Sequence, residues 1–564
     1  MTPRILALSL SAAALALPAT AGAQFAPPLA ERTGQTDLPL DGPRAAMTLD
    51  SVTLAIGIHP DERRIEGDGI YIVSVDEALA ELAFDLDPRF TIRSIIVDDE
   101  TLDENSWQNP DGLLTISLPE PVSAGESLRV RIAYGGRPHV ALNAPWEGGF
   151  VWDRTPDGEP WIATAVQGEG CDMFWPCIDH SSSRIAVMDT LVTVPDGLIA
   201  AGNGALVETI ENGDDTTTFH WVARDPSNYG ISLQIGPYEL TERLYESRYG
   251  NTIPIQFWHL PGNNKDARRL NAEMASYLDF FETTIGPYPF GDEKAGIAET
   301  PHLGMEHQTI NAYGNRFRPS ALGYDWLLAH EFAHEWFANQ LTHASINHMW
   351  LHEGIGTWMQ PLYLGWSRGE MFYASEMWRQ RQMIVSRVPL VPAEGTLPDY
   401  NDREAGWGID IYAKGAWIMH TMRYLVGEDV TFTSLARLTY GTDNPVPGEI
   451  APVSRTTDDY RVLLEEMSGE DLNWFFDAYF YQAALPRLIT TRDGETMQLR
   501  WETPSDLAFE MPVEVEVDGF AQKIEMPGGT GEITLPRSNA HVQIDPRNQI
   551  LMYDEAIVRA REAQ

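Results

Sequence analysis

The chain has 564 residues and carries 82 acidic against 39 basic side chains, a formal net charge of -43. Nucleic acid and anionic membrane surfaces repel so acidic a chain, which argues against both as partners, and the length gives room for about three domains. The excess acid reads as a solvated surface, and with only four lysines, at 265, 294, 414 and 523, arginine carries most of the positive charge and Lys414 stands out.

Residues 1 to 23 read as a secretory signal peptide: Arg4 supplies the positive start, Ile5 to Leu17 the apolar core, and Ala21-Gly22-Ala23 the small-residue cleavage site. No cysteine follows the cleavage point, and no later stretch is apolar enough to span a bilayer. The expectation is a mature protein exported to a bacterial periplasm or beyond. From there to about residue 240 short alternating segments, such as Leu54 to Ile58, Ile70 to Val73, Leu128 to Tyr134 and Leu191 to Val194, are separated by Gly, Pro and Asp turns, which predicts an antiparallel β domain over 24–240. Cys171 and Cys177 lie close together within it, and a short-loop disulfide and a buried pair of thiols are both open.

The period then changes. Ala267 to Ile285 places Leu270, Met274, Leu278 and Phe281 at helical spacing and ends at the Gly286-Pro287-Tyr288-Pro289-Phe290 break. A helix over Tyr324 to Asn339 and a helical region from Gly415 to Gln482 follow, giving a catalytic unit over 241–485. Strands return after Pro486, at Met497 to Trp501, Val513 to Val517, Glu532 to Leu535 and His541 to Ile544, and predict a small β domain over 486–564.

The chemistry lies in His330-Glu331-Phe332-Ala333-His334 and Glu353. On one helix the four-residue spacing stacks both imidazoles on one face, where they can grip a single metal ion, and Glu353 can supply a third ligand from a second helix. Two imidazoles and a carboxylate with a fourth position left to water is the ligand set of a catalytic zinc site. Glu331 sits beside a ligand without sharing its geometry and is free to take a proton from water. The competing reading, a chance match on a surface helix, is weakened by Leu327, Leu328, Phe332, Trp336 and Phe337, which make the helix apolar enough to be buried. Buried His and Glu without partners would cost several kcal/mol, a cost a metal relieves.

His330-Glu331-x-x-His334-x-Trp336-Phe337-x-Asn339-x-x-Thr342, followed by Trp350-Leu351-x-Glu353-Gly354 with eighteen residues between His334 and Glu353, resembles the zinc signature of the gluzincin metallo-aminopeptidases, peptidase family M1, of the aminopeptidase N and leukotriene hydrolase type. Gly286-Pro-Tyr-Pro-Phe290, Phe174-x-Pro176-Cys177-x-Asp179 and Gln167-x-Glu169 resemble weaker landmarks in the expected order. The resemblance implies a multidomain α+β protein: an N-terminal antiparallel β domain, a thermolysin-like zincin catalytic domain and a small C-terminal β-sandwich domain. It further implies one Zn2+ per chain on His330, His334 and Glu353, Glu331 as general base, Tyr412 of Tyr412-Ala413-Lys414-Gly415 as donor to the oxyanion, and peptides with a free N-terminus as substrates.

The family's exopeptidase loop reads Gly-x-Met-Glu-Asn. Here it is Leu303-Gly304-Met305-Glu306-His307, so Leu303 and His307 depart from it while Met305 and Glu306 fit. By resemblance Glu306 binds the substrate ammonium, a charge-assisted pair, and Glu169 helps with the amine or lines the first side-chain pocket. His307, His343, His348 and His352 are expected as pocket or supporting residues, since three ligands suffice. Competing readings are an endopeptidase or an epoxide hydrolase on the same site and, from another class, an inactive peptide-binding scaffold, against which stands the presence of every ligand and the base.

Overall fold

The computed structural model describes residues 29–562; the expected signal peptide lies outside them. Among the described residues no helix is long and apolar enough to cross a membrane. The N-terminal region is built on an eight-stranded sheet, ordered 205–211, 216–224, 187–195, 47–59, 64–75, 127–136, 91–97, 100–101. Along Met47–His59 Val52, Leu54, Ile56 and Ile58 face inward and alternate with half-buried residues, the period of a sheet with one packed face. A three-stranded sheet containing Leu79–Asp85 and Leu113–Val122 supplies Leu82, Phe84, Leu114 and Ile116 to the same core. Between the strands of the eight-stranded sheet the expected antiparallel arrangement holds with one exception. Met47–His59 and Val187–Pro195 pair in parallel, from Ser51 opposite Val187 to Gly57 opposite Thr193. Cys171 and Cys177 form a disulfide, which decides between the two readings left open above.

The second unit starts with a mixed five-stranded sheet, ordered 239–246, 252–259, 295–299, 311–313, 304–305. Position 240 therefore falls inside the strand Glu239–Glu246, which pairs with Thr252–His259. The two faces of this sheet serve different cores. Trp258, Ala298 and Ala312 join the N-terminal core, while Phe257, Ile297 and Tyr313, one residue away along each strand, face the helices. The site is thereby held between two packed bodies.

The helices between this sheet and the C-terminal strands, with the one after Thr252–His259, are α1 (Asn264–Thr284), α2 (Trp326–Ala333), α3 (Trp350–Arg368), α4 (Glu370–Arg381), α5 (Trp407–Val426), α6 (Glu428–Tyr440), α7 (Thr457–Ser468) and α8 (Asn473–Tyr479). α1 buries Leu270, Met274, Leu278 and Phe281 along one face, as their spacing predicts. α7 opens with a reciprocal cap between Thr456 and Asp459. Two three-stranded antiparallel sheets follow, over 487–544, and their inward residues Leu499, Trp501, Val513 and Val515 continue the core of the helical unit.

One sequence expectation fails in detail. The helix expected over 324–339 ends at Ala333; six residues, Glu335–Gln340, form a wider turn that breaks at Phe337 (φ -115°, ψ 62°) and Ala338. The break has a use at the site.

Candidate metal centre and active site

α2 is started by Asp325, whose carboxylate accepts from the Leu328 N–H at 3.1 Å and from the Tyr313 hydroxyl at 2.5 Å. From there the backbone carries His330 and His334 to one face, their rings 4.6 Å apart. His330 Nε2 and His334 Nε2 lie 3.2 Å apart, and each lies 3.3 Å from Glu353 Oε2. Tetrahedral zinc with bonds of about 2.0–2.1 Å spaces its ligands about 3.3–3.4 Å apart, so three donor atoms form one face of such a site. Glu353 Oε2 is buried and has no hydrogen-bond partner among the described residues, an orphan acceptor of the sort a cation satisfies. The residues present fit zinc.

The break after α2 explains how His334 is aimed. It turns the Phe337 carbonyl back so that His334 Nδ1–H donates to it at 3.0 Å, which leaves the Nε2 lone pair facing His330 and Glu353. A straight helix would have directed that carbonyl along its axis instead.

Glu353 comes from the first turn of α3. Its other oxygen, Oε1, accepts from the Tyr412 hydroxyl at 2.8 Å and from Gln167 Nε2 at 3.3 Å. Tyr412 can reach it because α3 and α5 touch backbone to backbone: a Cβ on Gly354 would lie 2.9 Å from the Gly415 Cα. The glycines of Glu353-Gly354 and Tyr412-x-Lys414-Gly415 thus set the separation of the two functional side chains. Lys414 itself turns away to the Gln482 carbonyl, and burial pulls it down to about 8.

The electrostatics are those of a buried cluster of opposite charges. Burial alone would raise Glu353, but the His330 and His334 imidazoles facing its carboxylate hold it below the ordinary carboxylate range. Glu331 is pushed well above that range, first by burial and then by the neighbouring Glu306 carboxylate. Donor atoms of Glu306, Glu331 and His334 all lie within 4.8 Å of one another. The expected base and the expected amine anchor therefore flank the same imidazole. Glu306 is 4% exposed, and its Oε1 accepts from the Tyr229 hydroxyl at 2.8 Å. Its backbone is fixed from the metal side, where Asn339 Nδ2 donates to the Glu306 carbonyl at 3.0 Å.

The structure brings together His330, His334, Glu353, Glu331, Tyr412 and Glu306. Glu169 makes its hydrogen bond elsewhere: its Oε2 accepts from the Gly148 N–H at 2.5 Å, and burial, with Glu147 nearby, pushes it up to about 7. In that segment Gln167, two residues earlier, makes the contact with the centre. The four other histidines lie outside the donor triangle. His343 and His352 stack at 4.2 Å, His348 bonds Thr457, and His307 is buried and accepts at Nδ1 from Gln234 at 3.0 Å. Burial holds His307 well below its ordinary value, so it is a neutral core residue where the family loop has Asn. Tyr229, Gln167 and Tyr400, whose hydroxyl meets that of Tyr412 at 2.5 Å, are contacts the residue pattern did not mark as functional. Gln167 alone had a signal, its place in Gln167-x-Glu169. Beside His330 and Tyr412 lies a cavity of about 590 Å³, bounded also by Leu322, Trp326, Thr357 and Gln360.

Residues 322–479 match the model of the peptidase family M1 domain. Leucine aminopeptidase 2 of Vanderwaltozyma polyspora is 22% identical over 519 residues, 87% of this chain and 72% of the relative. Aminopeptidase M1-B of rice, Oryza sativa subsp. japonica, is 22% identical over 69% of this chain and 44% of its own length, and human aminopeptidase B is 26% identical over 57% and 49%. The chain thus spans about half the length of the last two. Among solved structures, an M1 zinc metallopeptidase of Deinococcus radiodurans, a variant bound to a Tyr-Ser-Ala substrate, has the same fold, with a TM-score of 0.65 at 21% identity over 81% of this chain and 98% of that one. The chain thus carries a peptidase family M1 domain over residues 322–479, with aminopeptidases among its relatives and the fold of an M1 zinc metallopeptidase.

Proposed function

We propose that the protein is a zinc aminopeptidase that removes the first residue from peptides outside the cytoplasm, with one zinc per chain held by His330, His334 and Glu353. The observation that carries the reading is the meeting of three donor atoms 3.2–3.3 Å apart, one of them an orphan carboxylate oxygen, with two further carboxylates, Glu331 and Glu306, beside them. Bound there, zinc supplies Lewis acidity, polarising a scissile carbonyl and acidifying a water at the same point. Glu331, its carboxylate within 4.8 Å of His334, accepts the proton of the attacking water and passes it to the leaving amine. Tyr412, released from Glu353 Oε1, donates to the oxygen that gains charge as the carbonyl becomes tetrahedral, a contribution of about 3 kcal/mol for donors of this kind.

Glu306 makes the reaction an exopeptidase one. Tyr229 occupies its Oε1 and leaves Oε2 for the substrate ammonium, which fixes the first peptide bond over the donor triangle. Glu169 is assigned the second carboxylate of the amine side, and the cavity beside His330 and Tyr412 gives room to the remainder of the peptide. The test is release of first residues from free and N-acetylated peptides by the purified protein, with and without a chelator. Chelator-sensitive release from free peptides alone supports the reading, and comparable internal cleavage of acetylated peptides refutes it in favour of an endopeptidase.

A further inference from the structure

The connection between α4 and α5 is longer than compact domains ordinarily use, and it carries Tyr400 to the candidate site. The Tyr400 and Tyr412 hydroxyls lie 2.5 Å apart, and Tyr412 donates to Glu353 Oε1 at 2.8 Å. An ionised carboxylate can only accept, so the single proton of Tyr412 is committed to Glu353, and the proton shared between the two phenols is that of Tyr400. The order is Tyr400 to Tyr412 to Glu353.

Tyr400 is held in this place from behind. Gly408, in the first turn of α5, lies so close that a Cβ there would come 2.1 Å from the Tyr400 carbonyl oxygen, and the Tyr400 ring meets Trp407 edge-on at 6.3 Å. Both contacts belong to the first turn of the helix that carries Tyr412, so the two phenols are referred to one rigid element.

We propose that Tyr400 is a positioning residue for Tyr412: its hydroxyl donates to the Tyr412 oxygen, fixes that phenol beside the metal ligands and strengthens it as a donor to the reacting carbonyl. The inference rests on the role given to Tyr412 in the proposed aminopeptidase reaction. A hydroxyl whose oxygen accepts a hydrogen bond gives its own proton to an acceptor more strongly, since aligned bonds polarise one another. When charge gathers on the substrate oxygen, the Tyr412 proton exchanges Glu353 Oε1 for that oxygen while the bond from Tyr400 persists. Tyr400 touches no reacting atom and works only through Tyr412.

Tyr400→Phe removes the hydroxyl and keeps the ring. The expected result is a roughly threefold to tenfold fall in kcat, the worth of one hydrogen bond, with KM and zinc content unchanged. In a Tyr412→Phe background the same change should leave kcat where it was. Gly408→Ala, which displaces Tyr400, should reproduce the kcat loss, and if it does not fold the phenylalanine variants carry the test. A second readout needs no activity: with 13Cζ-labelled tyrosine, the Tyr412 resonance, assigned by its disappearance in Tyr412→Phe, should move in Tyr400→Phe. An unmoved resonance overturns the hydroxyl pair, and a moved one with losses that multiply in the double variant overturns the positioning role. If the protein cleaves only blocked peptides, the aminopeptidase reading falls instead, and the same cycle is measured on those peptides.

Discussion

Removing the Glu306 carboxylate separates binding of the substrate amine from the shared metal chemistry. Glu306 is 4% exposed, one oxygen takes the Tyr229 hydroxyl, and the other has no partner among the described residues. A substrate ammonium placed there loses most of its water and gains a charge-assisted bond. Truncating one member of such a buried pair costs about 2–5 kcal/mol, because the remaining charge stays buried without a counter-charge. At about 1.4 kcal/mol per tenfold, that is roughly thirtyfold to several thousandfold in kcat/KM. Glu306→Ala should lose this much on free peptides, and little on N-acetylated ones, which lack the ammonium that Glu306 would hold. Glu306→Gln preserves size and an acceptor for Tyr229, so it should share most of the loss if charge is the cause. The assay is kcat/KM for matched free and acetylated peptides across the three proteins. Equal losses on both members of each pair would refute the amine assignment and make Glu306 a residue of the general scaffold.

The remaining predictions concern the metal, the expected base and a half-buried acid. His334→Ala should lose zinc by elemental analysis, whereas Glu331→Gln should keep it and lose turnover by about a hundredfold or more; a full zinc complement in the first variant would remove His334 from the ligand set. Gly304→Ala should cut turnover with zinc retained, because its new Cβ would lie 2.5 Å from Glu331 Oε1 and displace the base; unchanged turnover would show that Glu331 has room to spare. Glu169 is raised to about 7 from an ordinary 4.5, so between those values the folded chain holds a proton that the unfolded chain has released, and stability falls as pH rises through that window. Glu169→Gln mimics the protonated acid and should gain on the native protein by about 2–3 kcal/mol from pH 5 to pH 8. A pH-independent difference in chemical denaturation would show that Glu169 is solvated.

What the sequence by itself determined is local. His330, Glu331 and His334 are four residues apart at most, so helix geometry alone places two imidazoles together, and the apolar residues around them already require burial. The strands at 47–59 and 64–75 are legible for the same reason, since their alternation is written in neighbouring residues. Glu353, Tyr412 and Glu306 were reachable through family motifs, but what brings Glu353 against Tyr412 is the close approach of Gly354 to Gly415, a contact between helices. Tertiary structure alone decided the rest. The bend at Phe337 that aims His334 runs against the helical pattern of its own segment, and strand 47–59 pairs in parallel with a segment more than a hundred residues away. Tyr229, Gln167 and Tyr400 each reach the site by side-chain hydrogen bonds from a different part of the chain. Such a bond leaves no periodicity and needs no special neighbour in sequence, because its geometry is fixed by the packing of whole elements and not by the residues on either side of it.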